Sequence, residues 1–152
     1  MGDLGQEAQR LYENRLMNTE TEVRNFEEAL EELYRSGNYR IIGGLCKAFD
    51  DQTEQDEVMW GLVHAIEAFD GEEACAELVK AMPEMLERAN EWLKLLTRRI
   101  LNHKDYRALY GATLSKADKR TKELLVALLN EIKDKNPTKY EASVLEVLMY
   151  LT

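Results

Sequence analysis

Two stretches decide the fold: residues 38–70 read NYRIIGGLCKAFDDQTEQDEVMWGLVHAIEAFD, and residues 83–102 read PEMLERANEWLKLLTRRILN. Each has apolar side chains at the three- and four-residue spacing that places them on one side of an α-helix. In the first stretch these are Val58, Met59, Leu62, Val63, Ile66 and Phe69. In the second they are Met85, Leu86, Ala89, Trp92, Leu93, Leu96 and Ile100. We therefore predict helices over residues 54–69 and 84–101, with Trp92 in the core.

The same spacing continues on both sides of these stretches, and no segment shows the alternation typical of a β-strand. It predicts seven further helices, over residues 4–17, 19–36, 39–49, 71–82, 103–114, 117–133 and 138–151. Connections this short place successive helices antiparallel. A chain of 152 residues is long enough to bury one core and short enough to form one domain. We predict an all-α single domain over residues 1–152, built from about nine helices packed as stacked antiparallel hairpins.

Helix boundaries follow from capping residues. A Ser, Thr, Asp or Asn followed three residues later by an acid is typical of a helix start, and Gly typically ends a helix in the left-handed conformation. Gly37 is such an end. The predicted starts are Thr19 with Glu22, Thr53 with Asp56, Asp70 with Glu73, and Thr138 with Glu141.

The helix over residues 54–69 has a second face that carries little charge, with Trp60 and His64 on it. One interpretation is that the helix is central and buried on both sides. The other is that Trp60 and His64 are exposed for a partner. Gly61 on the same face favours burial, because glycine permits close approach of a neighbouring helix. We also expect Arg99 to reach an acidic residue from the edge of the apolar side of its own helix.

Charge is unevenly distributed along the chain. Residues 1–91 contain 22 Asp and Glu against 8 Lys and Arg, whereas residues 92–152 contain 7 against 12. An acidic surface repels nucleic-acid phosphates and attracts basic proteins, although acids also simply solvate exposed helix faces. The candidate partner-binding residues are Asp50, Asp51, Glu54, Asp56, Glu57, Asp70, Glu72 and Glu73.

Signals for catalysis and for cofactors are absent from the sequence. The sequence lacks phosphate-binding glycine motifs, a G-x-S-x-G nucleophile motif and an H-E-x-x-H zinc motif. His64 has no ligand-like neighbour at metal spacing. Basic residues Arg98, Arg99, Lys104 and Arg107 allow a small phosphate patch, but a solvated helix face is the simpler interpretation. We expect no enzyme activity, no cofactor and no metal.

Compartment is indicated by two further features. Cys46 and Cys75 lie in apolar helical settings, where a buried thiol is more typical than a disulfide. No stretch approaches the roughly 20 apolar residues that cross a bilayer. We therefore expect no membrane association and a cytoplasmic location.

Several short motifs together resemble the immunity protein 30 family of bacterial polymorphic toxin and contact-dependent inhibition systems. The resemblance covers roughly residues 26–115. The motifs that carry it are Phe49-Asp50-Asp51, Leu62-Val63-His64 with Ile66-Glu67, Glu91-Trp92, and Arg99-Ile100-Leu101-Asn102.

The resemblance implies a small all-α protein that binds the C-terminal domain of a cognate toxin and protects the cell that makes it. It does not identify the toxin's chemistry. From charge we expect a basic partner, for example a nuclease domain. Two alternatives stay open: a helical-hairpin scaffold with an unrelated protein partner, and a small metal- or ligand-dependent enzyme using Trp60, His64 and Glu67.

Overall fold

A computed structural model describes residues 3–152. Over this range the chain forms ten α-helices and two short 3-10 helices, with no β-strand. The all-α prediction is confirmed. The α-helices are α1 Leu4–Glu13, α2 Glu20–Arg35, α3 Ile42–Lys47, α4 Asp56–Glu67, α5 Glu72–Ala81, α6 Met85–Arg88, α7 Asn90–Leu101, α8 Lys104–Ser115, α9 Lys119–Lys135 and α10 Pro137–Met149. The 3-10 helices are Tyr39–Ile41 and Met82–Glu84.

The helices pack in adjacent pairs, as the short connections predict. Helix α1 packs on α2 and α9 packs on α10, so each pair forms a hairpin of consecutive helices. Contacts of α5 with α3 and with α8 join the amino-terminal and carboxyl-terminal parts of the chain. One cluster of buried apolar side chains runs through the whole arrangement. Phe26, Phe49, Leu62, Met82 and Tyr110 are fully buried within it.

Some predicted helix ends are confirmed. The hydroxyl of Thr19 accepts a hydrogen bond from the Glu22 N–H at 3.1 Å, as a cap of α2 should. Gly37 follows α2 with φ of 60°, in the left-handed conformation. The predicted cap at Thr138 is wrong by two residues, because the side chain of Asn136 caps α10 instead.

The predicted caps at Thr53 and Asp70 are also wrong. Thr53 donates its hydroxyl to the carbonyl oxygen of Arg15 at 2.8 Å, and so ties the loop before α4 to the end of α1. Helix α5 begins after Gly71, whose φ is 96°. A side chain is strained at that φ, so glycine occupies the cap position and the Asp70 carboxylate caps nothing.

The helix predicted over residues 84–101 is broken into α6 and α7, which raises the number of α-helices from nine to ten. The break is at Ala89, with φ of −140° and ψ of 43°. Asp51, from a distant part of the sequence, forms hydrogen bonds with the backbone on both sides of this break. Its N–H donates to the Arg88 carbonyl oxygen at 2.9 Å, and its carboxylate accepts from the N–H groups of Glu91 and Trp92. The break therefore has a compensating partner that helical periodicity does not reveal.

Within residues 3–152, none of the helices combines the length and the apolar character that crossing a membrane requires.

Candidate partner-binding surface

The eight acidic residues proposed from the sequence do not form one patch. Asp50 is only 4 % exposed. Its carboxylate accepts from Arg15 Nε at 3.1 Å and from the Gln52 N–H at 2.9 Å. Arg15 in turn lies over the Tyr12 ring, 4.2 Å from its centroid. Asp50 therefore joins the loop over residues 48–55, which we call the acidic loop, to the segment that follows α1.

Asp51 also has a structural position, although it is exposed. Both carboxylate oxygens accept backbone N–H groups at the start of α7, at 3.0 Å from Glu91 and 3.3 Å from Trp92. A carboxylate at a helix amino terminus is stabilised by the unpaired N–H groups and by the helix dipole. Both oxygens are therefore engaged within the fold.

Glu54, Asp56 and Glu57 are exposed at the start of α4, and none forms an ion pair within residues 3–152. Next to them, a groove of about 610 Å³ runs between α2 and Gln55. Its lining includes Glu20 and Glu27, which also lack ion pairs in this part of the chain. We call these five acids the α2–α4 acidic surface: Glu20, Glu27, Glu54, Asp56 and Glu57.

The contribution of α2 to this surface was missed in the sequence analysis. A signal for it exists, because Glu20, Glu27 and Glu31 are spaced by seven and four residues and so share one face of the helix. Only the packing of α2 beside α4 shows that this face adjoins the acidic loop.

Helix dipoles account for part of the charge on the α2–α4 acidic surface. Glu20, Asp56 and Glu57 lie in the first turns of their helices, where negative charge is favourable. Glu27 lies in the middle of α2 and Glu54 lies in a loop, so neither gains from a dipole. Arg24 lines the same groove as Glu20 and Glu27, but the five acids outnumber it, so the surface keeps a net negative charge that would attract a basic partner.

The second face of α4 is partly open to solvent, so of the two interpretations left open by the sequence, burial on both sides is wrong. His64 is exposed and Trp60 is partly buried. The Trp60 ring lies 5.8 Å from the His64 ring and meets the Trp92 ring edge-on at 6.0 Å between centroids. Trp92 itself is 9 % exposed, as expected of a core residue. Only the edge of this face at Gly61 is closely packed, because a Cβ there would lie 3.0 Å from Leu30 Cδ2.

Arg99 reaches an acidic residue, as the sequence predicts. Its guanidinium donates to both carboxylate oxygens of Glu67, at 2.6 and 2.8 Å. The same guanidinium lies 5.2 Å from the centre of the Trp60 ring. The hydrogen bond from Arg99 to Glu67 raises the pKa of the guanidinium, although partial burial opposes this shift. Arg99 thus fixes one edge of an exposed aromatic surface, which we call the α4 ridge: Trp60, His64 and Glu67.

Asp70 lies at the opposite end of α4 from Glu54, Asp56 and Glu57, roughly 18 Å away by helix rise. It lines a groove of about 420 Å³ between α4, α5, α7 and α8, with Glu67 and Arg99 on the rim and Ile66, Leu78 and Ile100 inside. Glu72 and Glu73 line a different groove, between α5 and the α8–α9 region. Asp70, Glu72 and Glu73 therefore lie apart from the α2–α4 acidic surface. They are divided between two grooves, with Asp70 in one and Glu72 and Glu73 in the other.

Two of the four basic residues considered as a phosphate patch, Arg99 and Arg107, are paired with acids. Arg99 is paired with Glu67, and Arg107 is paired with Glu146 and donates to the Leu101 carbonyl oxygen. Among residues 3–152, no three His, Cys, Asp or Glu side chains are placed to hold a metal ion. The geometry presents surfaces for a protein partner and shows no arrangement of reacting groups in this part of the chain.

Comparison with known proteins identifies a family for this chain. The model of the family described as immunity protein 30 matches residues 13–110. No curated protein and no solved structure matches the chain. Immunity families typically neutralise a cognate toxin by binding it, without enzymatic activity of their own. The match covers more than half of the chain, and the protein therefore belongs to the immunity protein 30 family.

Proposed function

We propose that this protein protects the cell that makes it by binding a cognate toxin domain through the α2–α4 acidic surface and the adjoining α4 ridge. The observation that carries the proposal is the family match over residues 13–110. The surface supports it in two ways. It combines unpaired carboxylates with a partly exposed tryptophan, and tryptophan is enriched among the residues that dominate binding energy at protein interfaces.

The partner that fits this surface is basic. The chain has a net charge of −9, and five acids that form no ion pair within residues 3–152 lie where α2 meets α4. A toxin domain that acts on nucleic acid needs a cationic cleft, and carboxylates placed over that cleft occupy the positions of phosphates. Complementary charge of this kind speeds association and selects the correct partner.

A cytoplasmic location belongs to the same proposal, because a toxin that attacks nucleic acid is neutralised where its target lies. Both cysteines, Cys46 and Cys75, are buried free thiols, which a reducing compartment preserves.

Co-expression tests the proposal directly. The toxin domain encoded beside this protein is induced in a host with and without the protein, and growth is measured. We expect growth to be restored and the two chains to co-purify as a complex. The control is a toxin domain of an unrelated system, which should stay toxic. Continued toxicity with both proteins soluble would contradict the proposal and favour a helical scaffold with a different partner.

A further inference from the structure

The groove that contains Asp70 has the chemistry of a site for one long cationic side chain. Its interior is apolar, with Ile66, Leu78 and Ile100, and its walls include the flat side chains of Tyr106 and His103. A volume of about 420 Å³ accommodates an extended side chain with its flanking backbone. Apolar walls around an acidic rim suit a residue with an apolar stem and a charged end.

The carboxylate of Asp70 has no ion-pair partner within residues 3–152. Gly71 occupies the cap position of α5, so the Asp70 carboxylate makes no capping bond. Within residues 3–152 it takes part in no ion pair or hydrogen bond that would hold it elsewhere. Glu67, the other acid on the rim, is paired with Arg99 through two hydrogen bonds. Asp70 is therefore the carboxylate that a bound cation would meet.

The backbone adds to this negative potential. Ile66 and Glu67 form the last turn of α4 and line the groove, and a helix carboxyl terminus carries about half a unit of negative charge. Tyr106 lines the same groove. Its pKa is raised mainly by burial, with further contributions from Cys75 and from the charges of Asp70 and Glu67.

We propose that this groove receives an arginine side chain of the bound toxin, with the guanidinium at Asp70 and the stem against Ile66 and Ile100. The inference rests on the proposed function and adds a second contact site at the end of α4 remote from the α2–α4 acidic surface. Arginine fits better than lysine because its planar guanidinium stacks on flat side chains and bonds a carboxylate through two N–H groups.

The test compares Asp70→Asn and Asp70→Lys with Glu141→Gln and Glu141→Lys. Glu141 is exposed on α10 and does not line the groove, so its variants carry the same charge changes elsewhere. Each variant is titrated with the purified toxin domain encoded beside the protein. We expect Asp70→Asn to weaken binding about tenfold or more, mainly through faster dissociation. The Glu141 variants should stay within about twofold, and all four should keep the melting temperature of the unaltered chain.

A mutant cycle then identifies the partner residue. One arginine of the toxin, changed to alanine, should lose as much affinity as Asp70→Asn, and the double variant should lose little more. Unchanged binding by both Asp70 variants would overturn the inference and leave the proposed function standing.

If the unaltered chain binds no toxin, the proposed function fails and the groove is tested alone. N-acetyl-arginine methylamide is titrated while amide resonances of His103 and Tyr106 are followed. We expect shifts that disappear in Asp70→Asn, whereas no shift in the unaltered chain would overturn the cation site.

Discussion

The carboxylate of Asp51 accepts a hydrogen bond from the backbone N–H of Trp92 at 3.3 Å, across 41 residues of sequence. With its shorter bond from Glu91, it caps α7 and holds the acidic loop against the break at Ala89. An acid that composition suggests for a partner therefore stabilises the fold.

The first prediction follows from that contact. Asp51→Ala should lower the free energy of unfolding by about 1–2 kcal/mol, because the first N–H groups of α7 lose their acceptor. The measurement is urea denaturation. Glu54→Ala is the control, since Glu54 is exposed and makes no ion pair, and it should change stability by less than about 0.5 kcal/mol. Equal effects of the two substitutions would show that Asp51 is not a cap.

Local sequence predicts this fold well where the determinants are close in the chain. The apolar periodicity, the Thr19 cap and the left-handed Gly37 depend on residues within one or two helical turns. The prediction that Arg99 reaches an acid also depends on helix geometry, although its partner Glu67 lies 32 residues away.

The errors arise where a long-range contact overrides a local signal. Thr53 and Asp51 each bond to distant backbone, so one helix start moves and one helix breaks. Asp50 is buried because Arg15 lies within reach, and an acidic run in the sequence does not show which of its members finds a cation. The exposure of the second face of α4 also depends on distant neighbours, since Gly61 is packed against Leu30 while Trp60 beside it remains partly exposed.

The second prediction concerns association with the toxin. Changing Glu54, Asp56 and Glu57 to lysine should slow association about tenfold or more at low salt and flatten its salt dependence, because exposed charges act mainly on the association rate. Rates are measured by stopped flow at several salt concentrations. The matched control changes Glu123, Asp134 and Glu141 to lysine, which alters the net charge equally. A similar loss in both triple variants would mean that overall charge, and not this surface, steers the partner.

The third prediction concerns alkaline pH. Burial raises the pKa of the Cys46 thiol from 9.0 to about 12, and burial also raises the pKa values of Cys75 and Tyr110. The unfolded chain loses these protons first, so stability is fully present below about pH 9 and falls as pH rises toward the folded pKa values. Urea titrations at pH 8, 9, 10 and 11, values chosen to bracket that window, should show the decline.

Cys46→Ala is the control for this pH effect. It should cost stability at every pH through the cavity it leaves, yet its decline above about pH 9.5 should be less steep by up to about 1.4 kcal/mol per pH unit. An identical slope in both proteins would remove Cys46 from the explanation.

The last prediction separates stability from binding on the α4 ridge. Trp60 is partly buried, with contacts to Trp92 and Arg99, so Trp60→Ala should cost about 2 kcal/mol of stability, less than the 3–5 kcal/mol of a fully buried aromatic residue. If the ridge contacts the toxin, the same substitution should remove 2 kcal/mol or more of binding free energy, as expected of an interface anchor. Trp60→Phe, which keeps a ring against Trp92, should recover most of the stability and only part of the affinity.

Both quantities are measured on each variant, by urea denaturation and by calorimetric titration at a temperature where all variants are folded. Full affinity in folded Trp60→Ala would exclude Trp60 from the interface.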